Sequence, residues 1–100
     1  MLGIEADIPL IEEVSGSTPS ITGMPNVRYI CGTCSLLTIT PPASGSIVVR
    51  FTSGSTPTVL TVPNTVKFPV WFDYTSLEAD TTYEIIITDG VYGGVMSWAD

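Results

Sequence analysis

The chain of 100 residues has no histidine, three cations (Arg28, Arg50 and Lys67) and two cysteines (Cys31 and Cys34). Each shortage excludes a class of function. Without histidine there is no Ser–His or Cys–His pair to activate a nucleophile. Three dispersed cations against ten acids give a formal net charge of −7. Such a chain cannot neutralise a run of phosphates, so neither nucleic acid nor an anionic membrane surface is an expected partner. Two cysteines supply half of a structural zinc site. No apolar run approaches the ~18 residues of a membrane span. "MLGIEADIPLIEEV" carries acids where a secretory signal needs bases. The expectation is a complete small gene product made in the cytoplasm.

Charged residues are also scarce, at 13% of the chain, about half the usual ~25%. Thr, Ser, Val, Ile, Pro and Gly fill the gap, and β-branched residues suit a pleated, half-buried surface. The length allows one domain. Strand signals recur between turn residues: "NVRYICG", "SLLTITPP", "SIVVRFT", "TPTVLTVP", "TYEIIITDG" and "VYGGVMSW". In "SIVVRFT", Ile47, Val49 and Phe51 share one face, and the period is two. Asp89–Gly90 is a hairpin signal. These signals predict an all-β fold: a small antiparallel β-sandwich or jelly-roll-like domain of about seven strands over residues 20–100. An extended N-terminal arm and hinge occupies residues 1–19. Ile4, Ile8, Leu10 and Ile11 lie in that arm around Pro9. It reads as an anchoring arm or as an ordinary first strand. Tyr83, Ile85, Ile86 and Ile87 make one strand apolar on both faces, so its second cover is expected from another subunit or from the arm.

"SGSTP" occurs twice, at Ser15–Pro19 and Ser53–Pro57. A phosphate loop would need a following Lys and a helix behind it, and neither copy has one. The copies read as a hinge and a hairpin turn, too short to mark a repeated unit. "CGTC" at Cys31–Cys34 reads as a turn with two unlinked thiols, since a redox pair needs a helix N-terminus. Asp73, Glu78, Asp80 and Asp89 read as solvated loop acids without calcium-loop spacing. Trp71, Tyr74 and Tyr92 are candidates for surface recognition of a sugar, with core packing as the alternative. No cofactor or metal is expected. Nothing forms a catalytic constellation, so the chain is expected to act by binding or assembly.

Read in order, "RYICG", "LTITPPASG", "FTSGSTPTVLTVP" and "LEADTTYEIIITDGVYGGVMSW" resemble a small module of tailed-phage and prophage virion proteins of gut bacteria. The resemblance covers roughly residues 25–98. It implies a non-enzymatic structural protein of the virion, of the capsid-decoration or head-fibre type, made in the host bacterial cytoplasm. It implies a homo-oligomer, trimers being favoured, docked on the major capsid or another virion protein. Ile4, Ile8, Pro9, Leu10 and Ile11 are then the expected assembly contact. A tail or receptor-binding module recognising host glycan is the alternative.

Overall fold

The computed structural model describes residues 10–99. Ile4, Ile8 and Pro9 of the expected arm lie outside these residues. The described chain is all-β. Its eight strands are β1 (Leu10–Val14), β2 (Ser20–Thr22), β3 (Val27–Cys34), β4 (Leu36–Thr40), β5 (Ser46–Ser53), β6 (Val59–Thr61), β7 (Thr81–Thr88) and β8 (Tyr92–Ala99). They form two layers: a five-stranded sheet in the order β1-β3-β5-β7-β8 and a three-stranded sheet in the order β2-β4-β6.

The expected all-β, two-sheet domain is present, but its strand directions differ from the antiparallel expectation. β1, β3 and β5 run parallel, as do β2, β4 and β6. The antiparallel pairings among the described strands are those of β7, with β5 on one side and β8 on the other. The chain therefore winds as a coil. Each turn lays one strand in the large sheet and one in the small sheet, then returns beside its predecessor. Strand periodicity cannot reveal this, because a period of two fixes which face is buried and leaves the pairing partner open.

The SGSTP copies take a new meaning in this winding. Neither is a hairpin turn. The first joins β1 to β2 and the second joins β5 to β6, so both occupy the same corner of the coil, in its first and third turns. The middle turn passes that corner at Cys34–Ser35. Its backbone links the levels: Ser35 N–H donates to Ser17 O (2.7 Å), and Val59 N–H donates to Ser35 O (2.9 Å). Buried Ser53 accepts from Thr58 N–H at 2.9 Å, and the Thr58 hydroxyl donates to Cys34 O at 2.6 Å. The short motif does mark a structural repeat, whose remaining residues diverge.

The core lies between the sheets. Ile47, Val49, Phe51, Ile85 and Ile87 from the large sheet and Leu37 and Ile39 from the small one are almost completely buried. Phe51 stacks on Tyr83, with ring centroids 5.4 Å apart. After β6, the segment 62–80 closes the third turn, burying Val66 and Leu77. Lys67 pairs with the start of β8: its N–H donates to Val91 O at 2.6 Å, and Gly93 N–H donates to Lys67 O at 2.8 Å. Phe68 packs where a side chain on Gly93 would stand.

CGTC is not a turn. Both cysteines belong to β3, and the register against β5 shifts between Ile30 and Thr33. In a regular strand, residues three apart point to opposite faces. The irregularity resets the alternation, and Cys31 and Cys34 are both buried, as free thiols.

Candidate functional site

The inner face of the large sheet is the core, so the outward-facing positions of the same strands form a second, uncovered face. The register places them in rows. Ile11 on β1 stands beside Arg28 on β3, followed by Val48, Ile86 and Gly94. The next row holds Glu13, Ile30, Arg50, Glu84 and Met96. Trp98 stands opposite Thr82 in the row beyond. Exposure is high for large apolar side chains: 68% for Ile11, 54% for Met96, 44% for Trp98 and 37% for Ile86. A half-buried strand ordinarily puts polar residues here.

Charge on this face is internally matched. Glu84 lies on the outward side of a central strand yet is buried. Its Oε2 accepts from Arg50 Nε at 3.1 Å and Arg50 Nη2 at 2.9 Å, and also from Arg28 Nη2. The Arg50 guanidinium lies 5.5 Å from the ring centroid of Trp98, a cation–π arrangement. Around this triad, hydroxyl pairs join β5 to β7: Thr52 with Thr82 (3.0 Å) and Ser46 with Thr88 (2.9 Å).

A second exposed apolar feature is the open side of β1. Leu10 and Ile11 are 71% and 68% exposed, and among the described residues β1 pairs only with β3. Glu12 and Glu13 lie on the same edge strand.

The candidate recognition aromatics do not make one platform. Trp71, 67% exposed, leans edge-on against Phe72, whereas half-buried Tyr74 packs on Phe68. Tyr92 projects from β8 opposite Thr88. No ring contact joins the three. Trp71 borders a pocket of about 200 Å³ with Asp73, Ser76, Glu78 and Ser97. A larger hollow of about 430 Å³ lies between Pro57–Leu60 and Thr75–Leu77 and has no charged lining residue.

The remaining polar groups serve the fold. Asp73 accepts from Thr75 N–H and hydroxyl, and these bonds hold its carboxyl below the usual range. Asp89 accepts from Gly45 N–H at 3.0 Å. Burial, with the neighbouring Cys34, pushes the Cys31 thiol up to about 11. Burial also raises Cys34, partly offset by a hydrogen bond with Thr58. These thiols are protonated and unreactive near neutral pH. Among the described residues no group of three or more Cys, Asp or Glu is placed to hold a metal ion.

Sequence reasoning singled out Leu10 and Ile11 but missed Ile30, Val48, Met96 and the Arg28–Glu84–Arg50 triad. Its one pointer to the outer face was Ile86, the apolar residue on the wrong side of an amphipathic strand. No protein-family model, no characterised protein and no solved structure matches the chain.

Proposed function

We propose that the chain is a non-enzymatic structural protein of a phage virion, a capsid-decoration or head-fibre-like accessory that docks through the first turn of its coil. The observation that carries docking is the β1 edge. Its backbone is paired on one side among the described residues, and Leu10 and Ile11 are exposed beside it. An unpaired edge accepts a strand from another chain through main-chain hydrogen bonds, and apolar side chains supply selectivity. Glu12 and Glu13 disfavour pairing of two such edges with each other, because like charges would face across the new ladder. The occupant is therefore a different protein, such as the major capsid protein. Ile4, Ile8 and Pro9 precede this strand in the sequence and lie outside the described residues. The virion assignment itself rests on the resemblance of "FTSGSTPTVLTVP" and "LEADTTYEIIITDGVYG".

Docking is tested by adding the purified chain to particles lacking it. The wild type is expected to label them saturably, and the Leu10→Asp/Ile11→Asp variant to bind at least about tenfold more weakly. Particles left unlabelled by the wild type overturn the proposal. A glycan-binding tail module is the second reading. It is favoured by the exposed indole of Trp71 beside the hydroxyls of Ser76 and Ser97, a pairing of ring face and polar groups that suits a sugar.

A further inference from the structure

We infer that the outer face of the five-stranded sheet is where a second copy of this chain packs, patch against identical patch. This surface meets the proposed docking edge at β1, where Ile11 and Glu13 belong to both, but the inference does not depend on the virion reading.

Charge is the first argument for the occupant. The whole chain carries a formal −7, so two copies repel over most orientations. The outer face is the exception. Two of the three cations, Arg28 and Arg50, lie on it and balance Glu13 and Glu84. A polyanion or an acidic partner would find no net positive charge there. A neutral island on an acidic molecule is where two like-charged copies approach at least cost.

The second argument concerns what burial would strand. Covering a charged group is costly when its partner is missing. Here Glu84 Oε2 already receives both arginines, and Trp98 covers Arg50. The triad can lose water as a neutralised unit. Glu13 sits on the edge strand and stays at the rim. Ile30, Val48 and Ile86 on the inner strands, continued by Met96 and Trp98 on β8, give the patch the apolar and aromatic character of an interface core.

Area is the third. Five strands at ~4.8 Å spacing and roughly eight residues at ~3.3 Å give a face of about 600 Å². Two such faces bury about 1,200 Å² together, the lower bound of a specific interface. Two twisted sheets pack face to face at ~10 Å. Ile86 then gains the second cover that its position lacks within one chain.

Sedimentation velocity from about 1 µM to about 200 µM tests the inference. The wild type is expected to shift from monomer to a larger species within this range. Ile86→Glu/Met96→Glu is expected to stay monomeric throughout, with an unchanged circular dichroism spectrum. Val59→Glu, on the small sheet and 61% exposed, is expected to associate as the wild type does. Should the double variant fail to fold, a Trp71→Phe protein reports on Trp98 alone. Acrylamide quenching of its fluorescence is expected to fall at least about twofold as concentration rises. A wild type that is monomeric at every concentration overturns the inference, even if it captures another protein. So does a folded double variant that associates as tightly as the wild type. Because the double variant keeps Leu10 and Ile11, particle labelling by it tests docking independently.

Discussion

One irregular position in β3 decides the chemistry of both cysteines. The register shift between Ile30 and Thr33 lets Cys31 and Cys34 point into the core. Burial then opposes ionisation, and the Cys31 thiol titrates at about 11. This predicts a pH dependence. The unfolded chain begins to lose its thiol protons near pH 9, whereas the folded chain keeps them. The stability contributed by the folded thiol is complete below that value and is lost as pH rises toward 11. Between pH 8 and pH 10.5 the wild type is expected to lose roughly 1–2 kcal/mol more than a Cys31→Ala/Cys34→Ala variant. Urea midpoints at the two pH values measure it; identical losses would sink the idea. The sequence displayed the two thiols but not their direction. A bulge is set by the neighbouring strand, and nothing in "ICGTC" specifies it.

At the scale of elements, local turn chemistry was legible and pairing was not. The hairpin at Asp89–Gly90 was readable because both positions need positive φ, and the observed values are 54° and 69°. That turn does more than reverse the chain. Asp89 N–H donates to Gly45 O at 2.9 Å, and a Cβ on Gly90 would stand 3.1 Å from Pro42 O. The hairpin thus seals the return corner of the coil. Gly90→Val is expected to cost about 1–2 kcal/mol, from backbone strain and the displaced Pro42. Gly94→Ala, where a Cβ meets nothing within 4 Å, is expected to be close to neutral. Chemical denaturation of the two variants checks the contrast, and equal losses would refute it. The SGSTP corners teach the opposite lesson. Identical pentapeptides were visible, but equivalence arises only when the middle turn, which lacks the motif, is laid between them.

For the whole molecule, acidity bears on the self-association we propose. A chain at −7 that associates through a neutral face should bind itself more tightly when long-range repulsion is screened. The Debye length falls from ~10 Å at 0.1 M to ~3 Å at 1 M salt. Association measured by sedimentation is expected to strengthen severalfold between about 0.05 M and about 0.5 M NaCl. Weakening with salt would show that charge pairs across copies hold the assembly, against the argument from neutrality. The sequence by itself determined the β class, the inward residues of β5 and β7, the hairpin and the absence of a histidine-based site. Those follow from side-chain period, turn stereochemistry and composition, which act over a few residues. Only the tertiary structure decided that the first six strands wind in parallel, that Glu84 unites Arg28 and Arg50, and that Ile86, Met96 and Trp98 share one open face. These depend on which distant strands lie side by side, and that choice belongs to the packed core.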